Sequence, residues 1–368
     1  MKNNRTTIHD IARALKIDSS TVSRALNNNS NVTVKTKQKV LAKAKELGYQ
    51  RNLLASNLRQ RKSNTIGVVV PRISRQFFSM AIAGIEEAAF AADYNVVICQ
   101  SLENLEREQR IIDNLIANRV DGLLISITME TTNCDHLNLV RENGIPLVFF
   151  DRHYPSMEGS SQVYLNDKKA AFQAVDHLIK QGSTRIAHFG GPQVLEIYKK
   201  RFEGYKMALL ENKLPFDEKL VFISRLMEAD GLIAAQKILA EGMDVDGIFS
   251  GNDIAAIGAM KYFKENGKRI PEDIAIIGFS NEPSSEVIDP ALSTVDQSAF
   301  EIGKIGFELL IENIRKGEKD VLNKTITLEP KMLFRKSSLR KTDVQVAPAT
   351  NIKKTGAGRK LPLKGKKG

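Results

Sequence analysis

The stretch Thr21-Val22-Ser23-Arg24-Ala25-Leu26-Asn27 decides how the first part of this chain folds. Val22, Ala25 and Leu26 recur at helical spacing, which predicts a short helix with one buried face. The polar residues lie largely outside that face, and they include an arginine, whose guanidinium can bond both acceptors on the edge of a guanine. A helix with such a surface suits the major groove of DNA.

The neighbouring sequence predicts two further helices. Thr7-Ile8-His9-Asp10 has the form of a capping box, which predicts a first helix near residues 7–14. Thr33 can cap a third helix over residues 35–47, which Gly48 ends. Three short helices with a tight turn between the first two describe a helix-turn-helix, and a small exposed bundle without a ligand is the alternative. The residues expected to be buried in the third helix are Val40, Leu41, Ala44 and Leu47.

The charge of the chain is concentrated at its two ends. Residues 1–62 contain 14 Lys and Arg but three acidic residues, a net charge of +11, and residues 340–368 carry +8. The middle of the chain, residues 63–339, carries −8. Basic ends suit a polyanion, and no amphipathic anchor or lipidation signal favours a membrane surface instead. We therefore expect nucleic acid as a partner.

Composition excludes several other classes of protein. No apolar run is long enough for a membrane span and the N-terminus lacks a signal peptide, so we expect a cytoplasmic, nucleoid-associated protein without a membrane partner. Cys99 and Cys134 have no metal-like spacing, so neither a disulfide framework nor a metal site is expected. Phosphate-loop and nucleophile-elbow motifs are missing, and the histidines show no catalytic pairing. We expect no enzyme activity, no catalytic residues and no cofactor.

The helical pattern allows the DNA contacts to be assigned. We predict that Arg24 bonds a guanine edge, that Ser19 and Ser20 contact bases or phosphates, and that three lysines neutralise the backbone. Those lysines are Lys35, Lys37 and Lys39. The remaining predicted contacts in this part of the chain are Thr7, Thr21, Ser23 and Asn27.

Several motifs in register resemble the DNA-binding head of the lactose/galactose repressor family of bacterial transcription regulators. They are Ile8-His9-Asp10-Ile11-Ala12, the stretch from Ser20 to Asn27, residues 34–40 and Leu47-Gly48-Tyr49. The similarity continues into residues 52–58, which resemble the hinge helix that forms when two subunits bind their operator. This resemblance implies that Ala55 and Leu58 contact DNA, with Leu58 wedged between base pairs in the minor groove. From sequence alone, a leucine at position 58 is more often a packing residue, which is the alternative to the wedge.

From Thr65 onward, apolar runs typical of buried strands alternate with helical patterns. Two such series predict parallel sheets covered on both faces and therefore an α/β body of two lobes. The predicted strands are 66–70, 95–98, 122–125 and 146–150, then 185–189, 221–223, 247–249 and 275–277, with helices such as 82–92, 106–118 and 254–265. Ligands of such sheets bind beyond the carboxyl ends of the strands.

The body resembles the type I periplasmic-binding fold that serves this family as its effector domain. The expected fold is therefore an all-α helix-turn-helix head followed by a two-lobed α/β domain of the periplasmic-binding type. The predicted segments are the head at 1–50, the hinge helix and linker at 51–64, the effector-binding and dimerisation domain at 65–339 and a disordered basic tail at 340–368. The resemblance implies an N-lobe of about 65–164 with 295–323 and a C-lobe of about 165–294 with 324–339.

The same resemblance implies a set of effector contacts in a cleft between the lobes. Asp151, Arg201, Asn252 and Ser280 match positions that contact the effector in family members. The other candidates are Phe77 and Phe78 on the first loop, Ser126 after a strand, Arg152 beside Asp151, Leu195 and Ile197 beside the cleft, and Phe249 in its wall. Aromatic faces and an Arg/Asp/Asn set suit a sugar ring and its hydroxyls.

Two features leave the kind of effector open. Ser280 stands where sugar-sensing relatives usually carry an aspartate, so a plain neutral hexose is in doubt. Arg152, with Arg72 and Arg75 on a facing loop, allows an acidic or phosphorylated sugar, although all three can equally be solvated surface charges. Asp253, at the head of a predicted helix, is read as a capping carboxylate.

These observations predict a DNA-binding transcriptional regulator, a repressor of carbohydrate-related genes that is controlled by a sugar or sugar-derivative effector. A homodimer on a pseudo-palindromic operator is expected, because two heads match two half-sites and the tail lacks a heptad for larger assemblies. The alternatives are a sugar-binding protein of the uptake type and an α/β sugar-modifying enzyme.

Overall fold

A computed structural model describes residues 6–28, 30–49, 62–155, 157, 160–317 and 323–340. The predicted hinge at 52–58, with Ala55 and Leu58, lies outside the described residues. So does the predicted basic tail beyond residue 340. The positive charge of both ends of the chain is known from the sequence alone.

Three short helices build the head: α1 (Ile8–Leu15), α2 (Ser19–Leu26) and α3 (Val34–Glu46). Ile11, Val22 and Val40, one from each helix, have no exposed surface and form the centre of its core. Leu41 was expected in this core, but 53% of it is exposed. The prediction for Leu41 was wrong: the residues of α3 that are buried in the head core are Val40 and Ala44, one turn apart, and Leu41 lies outside this face.

Local signals set the helix ends in the head. The backbone N–H of Thr7 donates to Asp10 Oδ2 at 2.9 Å, so Thr7 caps α1, which starts one residue later than predicted. Thr33 Oγ1 accepts from the Thr36 N–H at 3.3 Å and caps α3. Gly48, at φ +61°, follows α3 in the left-handed region that favours glycine.

The N-lobe, the part of the chain that follows the head up to Leu165 together with Ser298–Leu328, is a parallel sheet covered by helices. Its strands run in the order β11-β5-β4-β3-β1-β2, with every pair parallel. The elements are β1 (Thr65–Val70), α4 (Gln76–Ala91), β2 (Asn95–Gln100), α5 (Leu105–Ala117), β3 (Gly122–Ile125), α6 (Asp135–Glu142), β4 (Leu147–Phe150), β5 (Ser161–Leu165), α12 (Ala299–Lys316) and β11 (Thr325–Leu328).

Two strands of the N-lobe were not predicted. β5 alternates buried and half-buried residues, and β11, at the edge of the sheet, alternates exposed and half-buried ones. Neither forms the continuous apolar run that marked the central strands. Because β11 pairs with β5, the N-lobe extends to Leu328 rather than ending near residue 323.

The described residues of the C-lobe, 166–297 with 329–340, have their own parallel sheet in the order β7-β6-β8-β9. β10 and β12 pair antiparallel in a separate ribbon. The elements are α7 (Asp167–Lys180), β6 (Ile186–Gly190), α8 (Glu196–Glu211), β7 (Val221–Ile223), α9 (Glu228–Ala240), β8 (Gly247–Ser250), α10 (Asp253–Glu265), β9 (Ala275–Ile277), α11 (Ser284–Val287), β10 (Thr294–Asp296) and β12 (Lys331–Leu333). The chain passes between the lobes after Leu165, Gln297 and Leu328, and the sequence had suggested 164, 294 and 323.

Glycines allow α4 and α12 to cross closely in the N-lobe. A Cβ at Gly84 would lie 2.1 Å from the Phe300 carbonyl oxygen, and a Cβ at Gly303 would lie 2.0 Å from that of Ala81. We expect Gly303→Ala to lower the free energy of unfolding by about 1–3 kcal/mol, because the helices must separate to relieve the overlap. Gly306→Ala on the same helix meets Leu124 Cδ2 at 3.2 Å and should have a smaller effect. Urea denaturation of the two variants compares them, and equal losses would contradict the argument.

Candidate DNA-binding surface and effector-binding edges

α2 presents a polar surface on the side opposite its buried Val22 and Ala25. Ser20, Arg24 and Asn27 are exposed on it. Ser19, Thr21 and Ser23 are half-buried at its borders. Since the buried face holds α2 against α1 and α3, the exposed side is the one that can enter a groove of DNA.

The side chains predicted to contact the DNA outside α2 differ in their exposure and in their hydrogen bonds within the head. Lys35 and Lys39 are exposed on α3. Lys37 is half-buried, and its Nζ donates to Asn28 Oδ1 at 2.9 Å and to the Asn28 carbonyl at 3.2 Å. The Thr7 hydroxyl donates to Asp10 Oδ2 at 2.7 Å. Lys37 and Thr7 therefore have structural partners within the head, whereas Lys35 and Lys39 extend into solvent.

The strand order places a topological switch point between β1 and β3 in the N-lobe, where ligands of parallel sheets bind. Ser126 directly follows β3 and is fully buried. Its Oγ is one of the buried side-chain atoms of the described residues that have no hydrogen-bond partner within them. A buried hydroxyl in this position is expected to find a partner outside the lobe's own side chains, such as a ligand or a water molecule.

Phe77 and Phe78 do not lie on a loop, as the sequence suggested, but in the first turn of α4, which begins at Gln76. The sequence predicted this helix only from residue 82, six residues after its observed start. The reason is that Phe77, Phe78 and Met80 come before the part of the sequence with clear amphipathic spacing. Both phenylalanines are buried, and their rings meet edge to face with centroids 5.2 Å apart. Phe78 packs in the same way against Phe150 at the end of β4, at 6.5 Å.

Asp151 and Arg152 follow β4 at the same edge of the N-lobe sheet. Arg152 Nη1 donates to both carboxylate oxygens of Glu103, at 3.1 and 2.9 Å, and the guanidinium carbon lies 5.7 Å from the centroid of the Phe78 ring. Arg152 is 8% exposed, so the reading of this arginine as a solvated surface charge was wrong. Glu103 was not predicted from the sequence, although it lies three residues beyond β2, at the carboxyl end of a strand, where ligand-site residues are expected.

Arg201 is held inside the C-lobe by α7 and by the loop after β8. Its Nε donates to Asp167 Oδ1 at 2.7 Å and its Nη1 donates to the Gly251 carbonyl at 2.8 Å. The guanidinium carbon lies 3.7 Å from the centroid of the Phe279 ring. Burial raises the pKa of Asp167, and the positive charge of Arg201 opposes this shift. Asp167 was also missed, because a carboxylate in the first turn of a helix is typical of a solvated residue.

The helix cap after β8 is not the residue that the sequence suggested. Asn252, not Asp253, caps α10: its Oδ1 accepts from the Ala255 N–H at 2.8 Å, and its Nδ2 donates to the Leu226 carbonyl at 2.8 Å. The capping prediction for Asp253 was wrong because this side chain turns inward instead. Ser280 is half-buried after β9 with φ 108°, outside the regions that non-glycine residues favour.

The three apolar candidates of the C-lobe are buried. Leu195 precedes α8 and Ile197 lies in its first turn. Phe249, in β8, has no exposed surface, and its ring stacks on His188 with centroids 5.1 Å apart. Burial lowers the pKa of His188 to about 4, so this histidine is neutral at physiological pH. Phe249 therefore belongs to the aromatic core beneath the carboxyl edge of the sheet.

Comparison with known proteins identifies both parts of the chain. Residues 7–52 match the family model described as bacterial regulatory proteins, lacI family, and residues 175–338 match a periplasmic binding protein-like domain. Catabolite control protein A of Priestia megaterium is 32% identical over 336 residues, 90% of this chain and 99% of that protein. The ribose operon repressor of Halalkalibacterium halodurans is 33% identical over 315 residues, 86% of this chain and 92% of that repressor.

Among solved structures, the complex of the transcriptional regulator CelR with cellobiose superposes with a TM-score of 0.70 at 26% identity, covering 90% of this chain and 100% of that one. In the part of the chain that the structure describes, no helix is both long and apolar enough to cross a membrane. The helix-turn-helix head, the two parallel sheets and the full-length similarity agree. The chain therefore belongs to the LacI family of bacterial regulatory proteins, and it is a DNA-binding transcriptional regulator with a periplasmic-binding-protein-like domain.

Proposed function

We propose that this regulator is a homodimeric repressor of carbohydrate-related genes whose affinity for its operator is set by an uncharged sugar. The polar face of α2, with Arg24 at its centre, reads the operator. The candidate sugar contacts lie at the carboxyl edge of each sheet taken by itself. They are Asp151 and Ser126 in the N-lobe, and Arg201, Asn252 and Ser280 in the C-lobe. CelR was solved with cellobiose, and the second relative named above represses a ribose operon, which supports a sugar as effector.

The observation that carries the choice of an uncharged ligand is the pairing of the buried arginines. Arg152 bonds Glu103 through both carboxylate oxygens, and Arg201 bonds Asp167 at 2.7 Å. Each positive charge is thus already balanced by a carboxylate of its own lobe, half-buried in Glu103 and buried in Asp167. An arginine in such a pair can still donate to a sugar hydroxyl through its remaining N–H groups. Binding a phosphate would require the anion to lie close to the carboxylates, which is unfavourable in a poorly solvated site.

An acidic or phosphorylated sugar remains the second candidate, because Arg72 and Arg75 are half-exposed on the loop between β1 and α4. If these side chains reach the ligand, they supply the positive charge that Arg152 and Arg201 do not.

Exposed apolar side chains on the N-lobe support the homodimer. Met80, Val97, Ile98 and Leu102, on α4 and on or next to β2, are between 38% and 42% exposed. β2 is the edge strand of its sheet, and an uncovered apolar edge strand promotes association. A second copy of the chain would cover this edge of the sheet and would bring two heads to a two-fold symmetric operator.

A thermal-shift screen combined with operator binding tests the proposal. The operator is first selected from random DNA, and the protein is then melted with D-ribose, cellobiose and the phosphate ester of each. We expect an uncharged sugar to raise the melting temperature and to change operator affinity, and to be recovered chemically unchanged. A shift produced by the phosphate esters alone would favour the second candidate. Turnover of a sugar would support the enzyme alternative instead.

A further inference from the structure

The loop that follows β9 has an unusual backbone. In residues 278–283, named here the Ser280 loop, Ser280 has φ 108° and Asn281 has φ 50°. Two successive non-glycine residues with positive φ are strained, and such strain persists only when the surrounding contacts over-determine it. The contacts that hold this loop therefore decide where Ser280 stands.

β10 provides the first of these contacts. The Ser280 N–H donates to the Val295 carbonyl at 2.9 Å, and the Asn281 N–H donates to Thr294 Oγ1 at 3.2 Å. Both bonds run between the loop and a strand of the same lobe. They fix the two strained residues against β10.

Asp253, in the first turn of α10, connects the loop and the strand from the other side. One carboxylate oxygen accepts from the Glu282 N–H at 2.8 Å, and the other accepts from the Thr294 hydroxyl at 2.7 Å. Thr294 thus passes the contact on to Asn281. Asp253 has no exposed surface, and its burial raises its pKa to about 7, against the lowering effect of these hydrogen bonds.

Gly278 leaves the space that the Asp253 carboxylate occupies. A Cβ on Gly278 would lie 2.1 Å from Asp253 Oδ1, so any larger residue there would displace the carboxylate. A helix cap would not require a buried site of this kind, and Asn252 already supplies the cap. The inward position of Asp253 is accounted for by the Ser280 loop that it bonds.

Arg335, just beyond β12, holds the outer side of the loop. Its Nη2 donates to Asn281 Oδ1 at 2.9 Å, while its Nη1 donates to Ser285 Oγ at 3.0 Å and to the Leu292 carbonyl at 2.9 Å. The guanidinium therefore connects the side chain of Asn281 to the segment that leads into β10. Asp253 bonds the backbone of the loop at Glu282, and Arg335 bonds the side chain of Asn281.

We propose that Asp253 and Arg335 are positioning residues that keep the Ser280 loop in the conformation that presents Ser280 to the effector. The role assigned to Ser280 rests on the proposed function, but the effect on the loop does not. Neither residue needs to touch the sugar. Sugar affinity therefore depends on the Asp253 carboxylate and the Arg335 guanidinium, in addition to the residues that contact the sugar.

Hydrogen exchange in the ligand-free, full-length protein tests the positioning directly. In Asp253→Ala, amide exchange in peptides covering residues 280–282 should accelerate about tenfold or more, because the Glu282 N–H loses its acceptor and Thr294 its partner. Peptides from β6 and β8 should keep their wild-type rates. Asp253→Asn should restore the wild-type rate, since its amide oxygen can accept from Glu282 and its amide N–H can donate to Thr294 Oγ1.

Further variants separate positioning from loss of folding. Thr294→Val keeps the shape of the side chain and removes only the bridging hydroxyl, so it decides the question if Asp253→Ala does not fold. Asp273→Ala, which removes an Asp273–Arg269 contact on the surface of the same lobe, is the matched control and should leave residues 280–282 unchanged. Arg335→Ala should accelerate exchange at Asn281.

Wild-type exchange rates at residues 280–282 in both Asp253→Ala and Thr294→Val, or a failure of Asp253→Asn to restore them, would overturn the proposal. A sugar from the panel that shifts the wild-type protein should bind Asp253→Ala about tenfold or more weakly. Operator affinity without sugar reports the integrity of the head. If no panel sugar shifts the wild type, the proposed function fails, and the exchange comparison still decides the positioning role.

Discussion

Arg24→Ala is expected to abolish specific operator binding while leaving effector binding intact. A bidentate contact between arginine and guanine contributes about 1–3 kcal/mol to discrimination between bases. Because each half-site of a symmetric operator contains one such contact, a dimer should lose about 2–6 kcal/mol, or roughly thirtyfold to more than ten-thousandfold in affinity. Arg24 is exposed on α2, opposite the residues that build the head core, so the variant should fold normally.

Titration of the selected operator and of a scrambled duplex, each at several salt concentrations, measures this loss. Lys39→Ala is the matched control, because it also removes one exposed positive charge from the head. It should weaken binding to both duplexes alike and reduce the salt slope by about two, one for each subunit of the dimer. An unchanged operator affinity for Arg24→Ala would refute the assignment of α2 as the reading helix.

Arg201→Ala is expected both to destabilise the C-lobe and to abolish the thermal shift produced by the sugar. Removing the guanidinium leaves Asp167 buried without its cation, and breaking a buried pair in this way costs about 3–5 kcal/mol. Asp167 is buried and its pKa is already raised by burial, so solvent compensates little for the lost positive charge. The sugar also loses the donor groups of the guanidinium.

Melting curves with and without the sugar separate the two effects, since each variant is compared with its own sugar-free curve. Arg269→Ala removes an exposed arginine of the same lobe and should change neither quantity. The double variant Arg201→Met with Asp167→Leu removes both charges and should recover much of the stability, as apolar replacements of buried pairs often do. A sugar shift that persists in the double variant would show that Arg201 is not a ligand contact.

The head could be predicted from sequence because its signals are local. The capping box at Thr7, the cap at Thr33 and the period of the apolar residues act within one or two helical turns. The exposure of Leu41 could not be predicted, since it depends on which residue of α3 meets α2 in space. The central strands of both lobes were recognised for a similar reason: burial on both faces leaves a continuous apolar run.

The candidate site was predicted less completely. Position after a strand, together with family resemblance, made Asp151 and Ser280 candidates, and the resemblance alone added Arg201. Their contact with an effector stays a prediction. The partners that determine the state of these residues come from distant parts of the chain, as Glu103 does for Arg152 and Asp167 does for Arg201. No periodic pattern connects residues separated in this way.

By itself, the sequence determined that this protein has a basic helix-turn-helix head and a two-lobed α/β body of the LacI family, because helix caps, apolar periodicity and charge are properties of neighbouring residues. Only the tertiary structure decided which arginines are already neutralised, that Asn252 caps α10 while Asp253 turns inward, and that Ser280 stands on a strained loop. The physical reason is that a buried charge or a strained backbone is stabilised by partners that folding brings together. Those partners are absent from the local sequence.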